Sequence, residues 1–173
     1  SQHWLERQER DHYSKKARAQ GYPSRAFYKL EQLDERFRLL SEVRYVLELE
    51  GAPGGWTQYV EQKIPKSGKL ITVDPLDVKT GENSIHICGF VGSDRVDRQI
   101  DEILNGRRID IVLSDMAPNM SGIKEYDQAE SMKLNFLTID MVKRHLKNNG
   151  TSVLKTFQSP EITNLVEEMK NSF

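Results

Sequence analysis

Five short runs rich in β-branched and other apolar residues recur along the chain: YVLEL (45–49), KLITV (69–73), SIHIC (84–88), IDIVLS (109–114) and TSVLKTF (151–157). Stretches of helical character separate them, near 56–64, 93–105 and 127–147. In the second stretch Val96, Ile100, Ile103 and Leu104 keep a 3.6-residue period. Strands that alternate with helices pair in parallel, because the chain must cross back over the sheet before the next strand begins. The expected architecture is therefore α/β: a mostly parallel, doubly wound sheet with helices on both faces. Asn148-Asn149-Gly150 reads as the stop of the last helix, and 75–83 as the most loop-like connection. Ahead of the first strand, Ser24 follows Pro23 and can cap a helix carrying Ala26, Phe27, Leu30, Leu33 and Phe37 on one face. Cys88, at the end of the third run, is expected to face inward as core.

With 173 residues and 37% hydrophobic content, a single domain over 1–173 can build its core without staples. The lone cysteine excludes a disulfide framework and any multi-cysteine metal site, so no metal is expected. No apolar run approaches the roughly 20 residues that span a bilayer, and residues 1–16 lack the apolar stretch of a signal peptide. A soluble, intracellular monomer is expected, with no membrane partner. The formal net charge of −1 argues against indiscriminate binding to polyanions. Charge is nevertheless concentrated in the basic helical segment 1–38, where Arg7, Arg10, Lys15, Lys16, Arg18, Arg25 and Lys29 face only Glu9 and Asp11 between positions 7 and 29. His12, Tyr13, Tyr22, Phe27 and Tyr28 are interleaved with them. Cations beside aromatics suit a phosphate backbone and unstacked bases; a solvated helix face accounts for the cations equally well.

Ligands of open α/β sheets sit beyond the carboxyl ends of the strands. There the first run leads into Glu50-Gly51-Ala52-Pro53-Gly54-Gly55-Trp56, a glycine-rich turn opening a helix. Glycines let backbone approach a ligand, and a helix start offers free N–H groups. Asp74 ends the second run about 20 residues on, where an acid can accept from both hydroxyls of a ribose. The turn is not a dinucleotide fingerprint, since Pro53 has no N–H to offer a pyrophosphate, and no G-K-[ST] is present for a triphosphate. A ribose without a pyrophosphate fits better, which points to S-adenosylmethionine. Asp115 ends the fourth run and Lys155 lies in the fifth, which brings two opposite charges to the same sheet edge.

These segments resemble the FtsJ/RrmJ family of S-adenosylmethionine-dependent ribosomal-RNA 2′-O-ribose methyltransferases. The matching stretches are SRAFYKL (24–30), GAPGGWTQYV (51–60), Asp74, SDMAPNMSG (114–122) and LKTFQ (154–158). The resemblance implies a Rossmann-like methyltransferase fold and a catalytic set of Lys, Asp, Lys and Glu. The first three carry over onto Lys29, Asp115 and Lys155. Gly51, Gly54, Gly55, Trp56, Asp74, Phe90 and Asp115 become the cofactor-binding candidates, and Arg7, Arg10, Lys15, Lys16, Arg18 and Arg25 the RNA-binding ones. Three positions depart from the family. Its loop-opening glycine is Glu50 here, its acid beside the adenine falls on Phe90, and its catalytic Glu, in a final strand pair, has no counterpart up to Phe173.

The implied reaction is methyl transfer to a ribose 2′-hydroxyl of ribosomal RNA, most naturally that of the large subunit. Lys155 would act as base or as stabiliser of the forming alkoxide, with Lys29 and Asp115 beside it. Transfer RNA or an mRNA cap is the alternative substrate. A non-catalytic RNA-binding assembly factor of the same fold is the alternative in class, and a nicotinamide dehydrogenase is disfavoured by Pro53.

Overall fold

The five β-rich runs become five strands of one sheet in the order β3-β2-β1-β4-β5. The structure is a computed structural model that describes residues 2–156 and 162–172. Two helices, α1 (Gln2–Ala19) and α2 (Ala26–Phe37), precede β1 (Tyr45–Leu49). Then follow α3 (Gly55–Lys63), β2 (Lys69–Asp74), β3 (Ser84–Cys88), α4 (Asp94–Leu104) and β4 (Ile109–Ser114). The chain continues through α5 (Lys124–His145), β5 (Leu146–Leu154) and α6 (Ile162–Ser172). Every strand pairing is parallel, as the alternation predicts.

Strand residues divide between two cores because successive side chains point to opposite faces. Val46, Leu70 and Leu113 join Phe27, Leu30, Tyr59 and Val60 on the side of α2 and α3. Leu47, Ile71 and Val112 join Val96, Ile100, Met141 and Val142 on the side of α4 and α5. Each such side chain, removed from water, contributes roughly 1.5–3 kcal/mol. The central strand β1 is therefore covered on both faces, and its carboxyl end is held rigidly. The N-cap of α2 is Arg25 rather than Ser24, which sits one residue ahead with its Oγ accepting from Ala26 N–H at 3.3 Å. Among the described residues, no helix is long and apolar enough to cross a membrane.

Several expectations change. Helix α5 stops at His145, ahead of Asn148-Asn149-Gly150, and that tripeptide lies within β5. Leu146 already pairs with Ile109, and a register irregularity between Ile109 and Ile111 absorbs the extra residues before Thr151 meets Ile111. Sheet pairing thus ends the helix earlier than local turn chemistry would. Cys88 is exposed rather than core, its thiol directed at Pro75 O at 3.5 Å. It ends β3, which is an edge strand, so one side of it meets solvent. The aromatics of the N-terminal segment are largely consumed in packing. Phe27 and Tyr28 are buried, Tyr22 stacks on Phe27 with ring centroids 3.8 Å apart, and Tyr13 packs against Tyr28. They fasten α1 to α2, so the reading of this cluster as a free base-stacking surface is withdrawn. The helix α6 was not anticipated from periodicity.

Candidate active site

The loops after β1, β2 and β4 enclose a cleft of about 650 Å³. Glu50 and Ala52 line it from the first loop, Asp74 to Leu76 from the second, and Asp115 with Ala117 to Asn119 from the third. Tyr126, Glu130 and Leu134, spaced four apart on one face of α5, close the remaining side. Asp74 organises the floor. It is buried, its Oδ2 accepting from Ala52 N–H at 2.9 Å and its Oδ1 from Leu76 N–H at 2.8 Å. One carboxylate thus clamps two loops together, and each oxygen keeps a further lone pair for a ligand.

Asp115 and Lys155 meet at the same edge, Lys155 Nζ lying 3.2 Å from Asp115 Oδ1. The strands themselves dictate this meeting: Ser114 pairs with Leu154, and Lys155 N–H donates to Ser114 O at 3.0 Å. Helix α5 braces both strand ends. Thr138 Oγ1 donates to Ser114 Oγ at 3.0 Å, and Asn135 Nδ2 donates to Thr156 Oγ1 at 2.8 Å. The loop beyond Asp115 is tied down by Asp127, whose carboxylate accepts from Ser121 N–H at 2.8 Å, Ser121 Oγ at 2.7 Å and Gly122 N–H at 3.2 Å. Those bonds, led by the Ser121 N–H, hold the Asp127 carboxyl below the usual carboxylate range.

Glu50 occupies the left-handed backbone region at φ +58°, a conformation that favours glycine. Its side chain is half-buried in the cleft and accepts from Ala117 N–H. Burial, followed by the nearby charges of Asp74 and Asp115, raises its pKa, and Lys155 partly opposes that. Beneath the loop sits a residue the sequence reading missed, Glu48. It is fully buried, its Oε1 accepting from Thr57 Oγ1 at 2.5 Å and from Thr72 Oγ1 at 2.8 Å. Among the described residues its Oε2 has no hydrogen-bond partner. Burial, against the opposing hydrogen bonds of Thr57 and Thr72, pushes its pKa up to about 7. The only sequence signal was an acid amid a strand otherwise buried on both faces.

The glycines of the first loop serve the protein's own packing. A Cβ on Gly51 would lie 2.0 Å from Glu48 Oε1 and 2.1 Å from Thr72 Oγ1, and one on Gly55 would lie 2.4 Å from Ser24 Oγ. Gly54, at φ +109°, makes the turn into α3. A glycine-rich turn after β1, an acid ending β2 and an Asp–Lys pair across the ends of β4 and β5 now stand around one cleft. Residues 22–173 match the family model described as FtsJ-like methyltransferase.

The chain belongs to the FtsJ-like methyltransferase family.

A relative from Legionella pneumophila (strain Corby), named ribosomal RNA large subunit methyltransferase E, is 38% identical across all of this chain and 84% of its own length. One of the same name from Stenotrophomonas maltophilia (strain K279a) is 39% identical across all of this chain and 82% of its own. Among solved structures, a Plasmodium falciparum protein assigned as a ribosomal RNA methyltransferase superposes with a TM-score of 0.78 at 31% identity. That match covers 87% of this chain and 86% of the other.

Within this FtsJ-like chain the remaining sequence candidates fall in four places. Trp56 is buried among the core residues of α2 and α3, its indole N–H without a partner among the described residues. Phe90 is exposed beyond β3, one residue after Gly89, whose N–H donates to Asp74 O at 3.2 Å. Lys29 is exposed on α2 and is not among the cleft-lining residues. Arg7, Arg10, Lys15, Lys16, Arg18 and Arg25 are exposed along α1 and the turn into α2. Lys15 pairs with Asp11 at 2.9 Å, and Lys16 Nζ lies 4.5 Å from the centre of the Tyr28 ring.

Proposed function

We propose that this FtsJ-like protein transfers a methyl group from S-adenosylmethionine to a ribose 2′-hydroxyl of ribosomal RNA, that of the large subunit. The observation that carries the reading is the Asp115–Lys155 pair fixed at the rim of the cleft that Asp74 organises. The cleft fits the donor. Its volume is within the 300–1,000 Å³ usual for small-ligand sites. Four carboxylates line it, from Glu50, Asp74, Asp115 and Glu130, which suits a ligand carrying positive charge. Both Asp74 oxygens retain lone pairs for a ribose diol, whereas Phe90, exposed beyond β3, is not among the cleft-lining residues.

S-adenosylmethionine, when bound, supplies an activated methyl on a sulfonium. The protein contributes position and a place for the proton. Alignment of hydroxyl and methyl is worth roughly 7–11 kcal/mol of the barrier. Lys155 is the group that receives the hydroxyl proton or offsets the charge growing on that oxygen, and Asp115 orients its amine. The exposed cations of α1 and Arg25 engage RNA phosphates, which positions the substrate without reading its sequence.

The test is transfer of labelled methyl to large ribosomal subunits lacking the modification, followed by alkaline hydrolysis, which spares bonds beside 2′-O-methyl ribose. Lys155→Ala is expected to abolish transfer while donor affinity changes by less than about threefold. Near-normal transfer by that variant removes Lys155 from the mechanism, and label on a base overturns the ribose assignment. Glu50 favours one second reading, an assembly factor that retains RNA without using the donor, because a carboxylate in the cleft would repel the donor's own carboxylate. RNA binding with no donor binding would establish it.

A further inference from the structure

We infer that Glu50 is the residue by which the cleft distinguishes the sulfonium donor from the neutral thioether product. The inference rests on the donor reading above and goes beyond it, since it gives the cleft carboxylate of Glu50 a charge-sensing role that reading does not assign.

The carboxylates around the cleft are not equivalent. Asp115 is compensated by Lys155 at 3.2 Å. Asp74 is buried, with a backbone N–H on each oxygen. Glu130 lies on α5, 2.5 Å from Lys133 Nζ. Glu50 has no ion pair among the described residues, and it accepts from a single backbone N–H, that of Ala117, where Asp74 accepts from two. Its Asp74 and Asp115 neighbours oppose its charge, and Lys155 acts the other way. A half-buried carboxylate so placed gains most from a cation entering the cleft.

The backbone supports the same conclusion. Glu50 holds a left-handed φ without being a helix cap, and its N–H donates to Val73 O at 2.8 Å as the last rung between β1 and β2. The chain accepts this conformation at a residue whose side chain then lines the cleft. Donor and product differ in the methyl and in one unit of positive charge at sulfur. Their affinity ratio therefore isolates a group that senses that charge from one that binds the adenosine or the amino-acid end. At 5–7 Å and an effective dielectric of 20, one carboxylate changes that ratio by roughly 50-fold or more, and by about tenfold after screening. Weak retention of the product follows, which frees the cleft after each transfer.

Calorimetric titration of the full chain with S-adenosylmethionine, S-adenosylhomocysteine and sinefungin, whose amine places a cation near the sulfur position, tests this. The unaltered protein should prefer both cationic ligands over S-adenosylhomocysteine by about tenfold or more. Glu50→Gln and Glu50→Gly should each bring the three affinities to within about threefold, with thermal unfolding confirming that the variants fold. An unchanged preference in both variants overturns the inference, as does equal loss of all three ligands, which would place Glu50 on a shared part of the molecule. No binding of any ligand by the unaltered protein overturns the donor reading, and this inference with it.

Discussion

Replacing Glu48 by glutamine keeps the shape of a carboxyl group buried under the loop after β1 but removes its ability to ionise. In the folded protein Glu48 titrates at about 7, against 4.5 for the ordinary side chain, chiefly because burial penalises the charge. A folded-state pKa above the unfolded value means that the native state holds the proton more tightly. The associated stability is then fully present below about pH 4.5 and is lost as pH rises through 7. The full span is roughly 3 kcal/mol at 1.36 kcal/mol per pKa unit, of which about 2 kcal/mol falls between about pH 5.5 and 8.5. The two threonine hydroxyls that donate to Oε1 can donate equally to the glutamine carbonyl, and the unpartnered Oε2 position receives the amide NH₂. Urea unfolding of both proteins across that pH range isolates the effect, because every other titrating group is common to the two. The unaltered protein should lose about 2 kcal/mol relative to Glu48→Gln across that range, most of it below about pH 7, with the difference levelling off at higher pH. Parallel pH profiles would refute a neutral buried carboxyl, as would a glutamine variant that loses stability relative to the unaltered protein on the alkaline side.

Gly51→Ala sets a Cβ about 2.0 Å from Glu48 Oε1 and should cost roughly 1–3 kcal/mol, read from the urea midpoint. Acidification should weaken S-adenosylmethionine binding at a higher pH than an ordinary glutamate would allow, since burial and then Asp74 hold the Glu50 pKa up; calorimetry from about pH 7.5 downward checks the sign. Arg10→Ala, Arg18→Ala and Arg25→Ala should each weaken RNA binding to a similar degree whatever the sequence, and each should reduce the slope of log affinity against log salt by about one. Filter binding over a salt series measures both quantities.

Local residue chemistry carried the sheet. The runs at 45–49, 84–88 and 109–114 have the same bounds as their strands, because β-branched residues in short apolar runs bounded by turns leave few other conformations. The alternation with helices then imposed parallel pairing, and that in turn placed Asp74, Asp115 and Lys155 at one edge. The Asp–Lys pair was therefore legible before any coordinates. What local chemistry could not supply was which partner each group would meet. Asn148-Asn149-Gly150 has the composition of a helix stop, yet Leu146 reaches Ile109 first and the sheet claims the tripeptide. Tyr13, Tyr22, Phe27 and Tyr28 read, beside their cations, as suited to unstacked bases, and only the docking of α1 on α2 turned them to packing. Glu48 looked like an ordinary strand acid until Thr57 from α3 and Thr72 from β2 closed over it. Periodicity and propensity act within a few residues and determine elements and their order. Burial, pairing and charge environment depend on atoms brought together from distant parts of the chain, so the state of Glu48 and Glu50 was decided by the tertiary structure alone.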